Sequence, residues 1–323
     1  MSGHHGKMVS MNSTLPEKHI LQPSGLKLRQ QRLEVVIKVL LAVIAASCVL
    51  ITTGVVVALV RPTIDFFREV GFTEFLFTTD WFPLYEPPDF GVWPLVVGTF
   101  TVMLIAVIIA VPGGLFVAFF LSEYASPRTK RYLKPFLEIL AGVPTVVFGF
   151  FALNFIAPNV ARKIWVFSDV GFYSALAAGI TVGLMILPMM TTLAEDAMAA
   201  VPRSLIDGAY ALGATKRETC TGVIFPAGLS GIIAAGVIAM SRAIGETTIV
   251  LLAAGSTANF TFNAGEPMQT MSSFIGFAGL GDQATNSTGY RTIFAVGSML
   301  FIITFGLNML SQRIVTRFRE VYE

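Results

Sequence analysis

Six long apolar runs constrain the fold of this 323-residue chain more than any other feature. The first, residues 39–60, contains no charged residue, and an α-helix of that length spans the roughly 30 Å hydrocarbon core of a bilayer at about 1.5 Å per residue. The other runs are residues 92–121, 139–161, 172–193, 229–254 and 292–310. Only 13% of the residues are charged, against about 25% in soluble domains, so we expect an all-α membrane protein with six transmembrane helices.

The charges between the runs predict which helix ends face the cytoplasm. Residues 123–134 contain a cluster of lysine and arginine, and basic residues also dominate the polar tails at residues 1–33 and 313–323. Residues 61–91 are instead acidic and aromatic. Because basic loops remain on the cytoplasmic side, we expect both termini inside, and residues 34–91 to form the first transmembrane helix and an external loop.

A polar stretch, residues 194–226, separates the fourth and fifth runs and predicts a short amphipathic helix. Pro202 suits its opening turn, because the missing N–H would have no intrahelical partner there, and Gly213 suits the left-handed position past its end. Four apolar side chains between them recur at helical spacing: Leu205, Ile206, Ala209 and Leu212. We expect a cytoplasmic docking helix. The alternative is a helix that lies against its own bundle or the membrane surface.

The fifth run carries two charges where a membrane protein accommodates them least. Arg242 and Glu246 lie four residues apart and would share one face of a continuous helix. Counted from Leu229, Arg242 falls about 20 Å along the helix, past the middle of the bilayer, where an unpaired guanidinium is costly. Both are candidate substrate-translocation residues that face the bundle. The alternative is an intrahelical ion pair that only makes the charge tolerable.

Motifs that would give the chain its own catalytic activity do not occur in the sequence. There is no GxxxxGK[ST] phosphate-binding loop, no HExxH zinc motif and no GxSxG nucleophile motif. Cys48 and Cys220 lack metal-ligand spacing, and a net charge of +2 does not suggest nucleic-acid binding. We therefore expect no catalytic residue, no metal and no cofactor, with any energy supplied by another chain.

The stretch DGAYALGATKRETCTGVIFP, which begins at Asp207, resembles the EAA motif of ABC importer permeases. In that motif EAA is followed after three residues by Gly and, nine residues later, by Ile, any residue, Leu and Pro. Gly213 and Pro226 hold their places, whereas Asp207 and Gly208 stand where Glu and Ala are usual. The resemblance implies a helix that docks on a separate ATPase. The coupling residues it implies are Leu205, Asp207, Gly208, Ala209, Gly213 and Pro226.

Further stretches are similar to the PstC-type permeases of phosphate ABC importers. They are FGVWPLVVGTF from Phe90, LSEYASPRTKRYLKPFLEILAGVPTVVFGFFAL from Leu121, SRAIGETTIVLLAAG from Ser241, and the segment from Tyr290 to the C-terminus. The resemblance covers nearly the whole chain after the N-terminal tail. It implies a type I ABC importer permease (MetI-like) fold, with residues 92–312 as the permease domain.

The same resemblance implies a function and a set of partners. The chain would be a subunit of an importer of inorganic phosphate in a bacterial inner membrane, and a transporter component rather than an enzyme. Its expected partners are a second, PstA-type permease, two copies of a PstB-type cytoplasmic ATPase, an extracytoplasmic PstS-type phosphate-binding protein and the lipid bilayer.

Several alternatives stay open on the residues alone. A PstA-type permease shares the EYA, LAG-P and RAIGE elements, and a permease for another oxyanion would share the fold. In a secondary transporter or channel, Arg242 and Glu246 would form an ion gate and residues 194–226 would be an ordinary loop. A structural scaffold is disfavoured because charged side chains inside the membrane are costly without a function.

Overall fold

The computed structural model describes residues 25–317, except for residues 168, 282 and 286. Much of both predicted tails therefore lies outside the described residues. The chain divides into two compact units, Met1–Val56 and Val57–Glu323, and the boundary falls inside the first long helix. In the first unit, the described side chains from residue 33 onward are almost all exposed, as expected of a helix surrounded by lipid.

All regular structure in the described residues is helical. The helices are α1 (Gly25–Glu69), α2 (Phe72–Phe77), α3 (Trp93–Phe119), α4 (Pro127–Ala141), α5 (Thr145–Phe151), α6 (Arg162–Ile164), α7 (Ala175–Ala199), α8 (Arg203–Ala211), α9 (Lys216–Thr219), α10 (Phe225–Ile244), α11 (Thr248–Ala253), α12 (Met271–Gly279) and α13 (Thr288–Arg317). Three π-helical segments continue some of them: Phe120–Tyr124, Ala152–Ala161 and Cys220–Ile224.

Six helical stretches of the described chain are long and apolar enough to cross a membrane, so the predicted all-α membrane fold is confirmed. They are Leu33–Glu69, Trp93–Tyr124, Thr145–Ile164, Ala175–Ala199, Lys216–Ile244 and Thr288–Thr316. Each matches one of the predicted runs, although several begin or end elsewhere.

Helix α7 lies at the centre of the second unit, and most of its residues are buried between α3 and α10. Two glycines allow α3 to approach closely. A Cβ on Gly179 would lie 2.7 Å from Cβ of Ile105, and one on Gly183 would lie 3.0 Å from the carbonyl oxygen of Ala106. Larger side chains at these positions would force the two helices apart.

The prediction that residues 123–134 form a loop is wrong, because most of these residues belong to helix α4. Ser126 caps this helix by accepting a hydrogen bond from the N–H of Thr129 at 3.2 Å. The helix continues to Ala141, so the third transmembrane helix begins only at Thr145. The basic residues that predicted a loop lie on one side of an amphipathic helix.

The segment between the fifth and sixth spans contains the buried helix α12. Thr270 caps its start, where its hydroxyl accepts the N–H of Ser273 at 3.1 Å. The N–H of Met271 donates to the Thr99 hydroxyl of α3 at 2.9 Å. Its aromatic residue Phe274 is buried. These contacts fix α12 against the second span.

Candidate translocation and coupling sites

The helix that carries Arg242 ends two residues after it. Helix α10 stops at Ile244, and α11 begins at Thr248. The prediction of one continuous helix over residues 229–254 is therefore wrong. Glu246 lies in the break between two helices, not one turn farther along the same helix.

Glu246 stabilises this break through both carboxylate oxygens. Oε2 accepts a hydrogen bond from Nη1 of Arg242 at 2.7 Å, and Oε1 accepts the backbone N–H groups of Thr248 (3.1 Å) and Ile249 (3.2 Å). The backbone carbonyl of Glu246 accepts the hydroxyl of Ser272 on α12 at 2.7 Å. Because the carboxylate satisfies the first N–H groups of α11, as an N-terminal cap does, the chain can start a new helix here.

The two partners of this ion pair differ in exposure. The Glu246 side chain is 3% exposed, whereas that of Arg242 is 42% exposed in the isolated chain. Nη2 of Arg242 donates to the thioether sulfur of Met185 at 3.8 Å, and it makes no other hydrogen bond within the described part of the chain. The guanidinium is thus held on one side and open on the other, so it can still receive an anion.

A cavity of about 280 Å³ has Arg242 in its wall. Its walls are formed by Ala141, Val143, Thr145, Met185, Ile186, Met189 and Arg242. Sequence reasoning missed the two methionines, because a methionine inside an apolar run carries no signal that separates a cavity wall from a lipid-facing surface. Arg242 is the one charged residue of this wall.

The predicted amphipathic helix is present as α8. Pro202 is its N-cap residue instead of part of its first turn. Gly213 has a φ of +86°, which is the left-handed conformation expected just past the helix end. The prediction for Gly213 is therefore confirmed, and the helix start is shifted by one residue.

The apolar face of α8 is mostly uncovered in this chain. Only Ile206 is buried, at 5% exposure, and Ala209 is half-buried. Leu205 is 39% and Leu212 91% exposed. Burial of exposed leucine side chains against a partner is energetically favourable. This face therefore has the character of a docking surface.

The residues that depart from the EAA pattern lie on the exposed side of α8. Asp207 makes no hydrogen bond or ion pair among the described residues, and a Cβ on Gly208 would meet nothing within 4 Å. Pro226 lies in the first turn of α10, where it needs no N–H partner. The structure thus brings Arg242 and Glu246 together and gathers the predicted coupling residues in a separate segment.

The segment after α8 contacts the end of the second span. The amino group of Lys216 donates to the backbone carbonyl of Glu123 at 3.3 Å and lies 6.0 Å from the ring centre of Tyr124. Burial raises the pKa of the Tyr210 phenol on α8, and the nearby Glu123 carboxylate raises that pKa further. The phenol therefore stays protonated at neutral pH. Glu123 and Tyr124 of the EYA stretch therefore contact α9, which lies within the EAA-like segment.

A second buried carboxylate escaped the sequence analysis. Glu195, in the last turns of α7, is 9% exposed, and its Oε1 lies 2.9 Å from Nζ of Lys134 on α4. Both residues fall in segments that the sequence predicts as loops, residues 123–134 and 194–226. The position of this carboxylate directly after an apolar run was a signal that it could be buried. Nothing in the sequence indicates that its partner is Lys134.

Residues 110–320 match the family of binding-protein-dependent transport system inner membrane components. The chain belongs to this family. It is 34% identical to the probable ABC transporter permease protein YqgH of Bacillus subtilis, over 76% of this chain and 78% of the relative. It is 28% identical to the phosphate transport system permease protein PstC of Xylella fastidiosa, over 95% and 98% of the two chains. The resemblance to PstC-type permeases is confirmed.

Solved structures share the fold of this permease. A bacterial alginate ABC transporter, solved with its alginate-bound periplasmic protein, has a chain that aligns with a TM-score of 0.60 at 17% identity, over 88% of this chain and 96% of its own. The inward-facing MetNI methionine ABC transporter aligns with a TM-score of 0.52 at 18% identity, over 71% and 95%. The MetI-like architecture is therefore confirmed. The domain limits at residues 92 and 312 and the roles of the site residues stay predictions.

Proposed function

We propose that this chain is the permease subunit of an ATP-driven importer of inorganic phosphate and forms half of the translocation pathway. The observation that carries the proposal is the half-open Arg242 guanidinium beside an otherwise uncharged cavity. A guanidinium can present two N–H donors to an oxyanion, which suits phosphate. The naming of relatives as phosphate permeases supports the same substrate.

The ion pair provides both attraction and release. Arg242 offers positive potential to an entering anion, while Glu246 competes for the same guanidinium. Because two backbone N–H groups fix the Glu246 carboxylate, the competitor stays in place when phosphate arrives. Phosphate therefore binds transiently and moves on, as conduction requires.

The family and the uncovered face of α8 support the proposed partners. A PstA-type permease would complete the pathway, and a PstS-type binding protein would deliver phosphate from outside. Two PstB-type ATPases would hydrolyse ATP, with Leu205 and the half-buried Ala209 of α8 at the docking surface and Gly213 ending the helix. Asp207 and Gly208 would lie at its edge, and Pro226 would open the helix that leads to Arg242.

Reconstitution tests the proposal. The chain is co-expressed with the second permease and the ATPase, placed in proteoliposomes, and supplied with the binding protein outside. We expect ATP hydrolysis that is stimulated by phosphate-loaded binding protein, and uptake of phosphate but not of sulfate. Phosphate uptake that persists without the ATPase would favour a secondary transporter, and uptake of sulfate alone would favour another oxyanion permease.

The docking role of α8 is tested by one substitution and a matched control. Leu205→Asp places a charge on the exposed apolar face and should uncouple hydrolysis from transport while the protein remains in the membrane. Ser204→Asp adds the same charge to the adjacent, polar side and should leave coupling intact. Hydrolysis that stays coupled to transport in the Leu205→Asp protein would mean that α8 lies against the membrane surface instead of docking on the ATPase.

The proposed location is a bacterial inner membrane, crossed several times, with both termini cytoplasmic. In a chain without native cysteines, Ala284→Cys in the segment before α13 should react with a membrane-impermeant maleimide added to whole cells. Ser204→Cys on α8 should react only after the cells are opened. The reverse pattern of labelling would mean that the chain has the opposite orientation in the membrane.

A further inference from the structure

The break between α10 and α11 leaves a backbone carbonyl that neither helix pairs. In a continuous helix the carbonyl of Glu246 would accept the N–H of Val250, four residues farther on. Helix α11 begins too late for that bond, and its first one runs from the N–H of Leu251 to the carbonyl of Thr247 at 2.9 Å. Because Glu246 is only 3% exposed, its carbonyl needs a donor from elsewhere in the protein.

Ser272, in the first turn of α12, supplies that donor. Its hydroxyl donates to the Glu246 carbonyl at 2.7 Å. Ser272 is 5% exposed, so the whole bond is buried. The hydroxyl of Thr270 lies 3.1 Å from the same oxygen of Ser272. Since 26 positions separate Ser272 from Glu246, the bond ties the segment after the fifth span to the break inside it.

Helix α12 also approaches the break closely one turn after Ser272. A Cβ on Gly276 would lie 3.1 Å from Cγ2 of Thr247, the residue that follows Glu246. The missing side chain of Gly276 therefore allows the close contact. Helix α12 is itself anchored, because the N–H of Met271 donates to the Thr99 hydroxyl of α3 at 2.9 Å. The Ser272 hydroxyl thus reaches Glu246 from a helix that is held in place.

We infer that Ser272 is a positioning residue for the Arg242–Glu246 pair, an inference that rests on the proposed function. One carboxylate has two tasks here, because Oε1 of Glu246 accepts the first N–H groups of α11 while Oε2 accepts Nη1 of Arg242. Both are possible only while the backbone of Glu246 keeps its place. Ser272 fixes that backbone, so the carboxylate remains a competitor for the guanidinium as phosphate passes.

The adjacent Ser273 provides a matched control. It is also buried, but its hydroxyl oxygen accepts the N–H of Thr270 at 2.9 Å and its hydroxyl donates to the Thr270 carbonyl at 3.0 Å. These bonds stay within the first turn of α12. Loss of the Ser273 hydroxyl therefore disturbs the same helix without removing the bond to Glu246.

The first test measures phosphate uptake per assembled complex in proteoliposomes that contain the complete transporter and the binding protein. Ser272→Ala should lower this uptake about fivefold, the effect of one lost hydrogen bond. Ser272→Thr keeps the hydroxyl and should restore most of the uptake, and Ser273→Ala should match the unmodified protein. Equal uptake in the two alanine variants would overturn the inference, as would a Ser272→Thr protein no better than Ser272→Ala.

A second readout separates positioning from general support of the fold. The number of phosphate ions imported per ATP hydrolysed does not depend on how many complexes assemble. We expect Ser272→Ala to lower this ratio, because the proposed ATPase contact on α8 is unchanged and hydrolysis stimulated by loaded binding protein continues. An unchanged ratio with fewer complexes would mean that Ser272 only supports the packing of α12.

The third test asks whether Ser272 acts through the ion pair. Arg242→Lys alone should lower uptake about tenfold, and independent effects multiply, so unrelated roles would give a loss of about fiftyfold when it is combined with Ser272→Ala. We expect instead a loss close to that of Arg242→Lys alone, because the position of the Glu246 carboxylate matters less once the planar fork is gone. The full multiplied loss would contradict the inference.

Failure of the inference can be separated from failure of the proposed function. If the unmodified transporter imports phosphate but Ser272→Ala behaves like Ser273→Ala, Ser272 does not position the pair and the function stands. If the unmodified transporter imports no phosphate with all its partners present, the function itself is wrong.

Discussion

Two buried glutamates of this permease lie beside half-exposed cations, and they differ in what else holds them. Glu246 is 2.7 Å from Arg242 and also accepts two backbone N–H groups of α11. Glu195 is 2.9 Å from Lys134, with no other hydrogen bond to its carboxylate among the described residues. The first pair is part of the backbone connection between two helices. The second joins α4 to α7 through side chains alone.

We propose that the first pair is kept for transport and the second for attachment of α4 to α7. A local ion pair across a helix break is not needed for packing, since an apolar residue and a continuous helix would be less costly in a membrane. The Arg242 side faces a cavity, whereas Lys134 simply reaches from α4 to α7. We therefore expect substitutions at the first pair to change transport and substitutions at the second to change stability.

The largest effect is expected from Glu246→Ala. It leaves the half-exposed guanidinium without its partner and two backbone N–H groups without their acceptor, and each buried group left unsatisfied costs about 1–3 kcal/mol. Phosphate uptake by whole cells should fall to the background, and less complex should accumulate in the membrane. Glu138→Ala removes an exposed carboxylate and serves as the control. Substantial uptake in the Glu246→Ala protein would show that the break does not need this carboxylate.

A smaller and more selective loss is expected from Arg242→Lys. The charge remains, but the planar fork that suits an oxyanion is lost, so uptake should fall about tenfold while the amount of assembled complex stays unchanged. Arg203→Lys, on the exposed surface of α8, is the matched control. Initial rates of radiolabelled phosphate uptake are compared at equal protein levels. Equal phosphate uptake in the Arg242→Lys and Arg203→Lys proteins would mean that Arg242 has only a structural role.

The sequence could predict the pairing of Arg242 with Glu246 but not the break between them. Residues 247–254 continue the apolar run, and the restart of the helix depends on a carboxylate that accepts backbone N–H groups. An arginine and a glutamate four residues apart give the same sequence pattern whether the helix between them is continuous or broken. Gly213 was predictable, because a left-handed residue just past a helix has a strong local preference for glycine.

Contacts between distant segments were the other feature that could not be predicted from the sequence. Six spans could be read from apolar run length, because the bilayer thickness sets that length. The partner of Glu195 could not be predicted, since Lys134 reaches it only after α4 packs against α7. The burial of Trp81 against Phe274 could not be predicted either, since the two residues lie far apart in the chain.

A loss of stability without loss of transport is expected from Lys134→Gln. It leaves the Glu195 carboxylate buried without its cation, which should lower the free energy of unfolding by about 1–3 kcal/mol. Thermal unfolding of the purified complex measures the change, and uptake well below the unfolding temperature should remain within about twofold. Arg128→Gln removes an exposed charge from the same helix and is the control. An uptake defect as large as that of Arg242→Lys would place the second pair in the transport mechanism too.

The smallest effect is expected when both members of the second pair are replaced together. Lys134→Met combined with Glu195→Leu removes the buried charge and its partner at once and fills their space with apolar side chains. Replacement of this kind is often neutral or stabilising, so the unfolding temperature should recover to that of the unmodified complex, and uptake should be normal. The equivalent change at the first pair, Arg242→Met with Glu246→Leu, should leave uptake at the background, because no apolar side chain can attract phosphate or cap α11. Recovery at both pairs would mean that each is only a means of burying charge, and recovery at neither would mean that Lys134 and Glu195 also act on the transported ion.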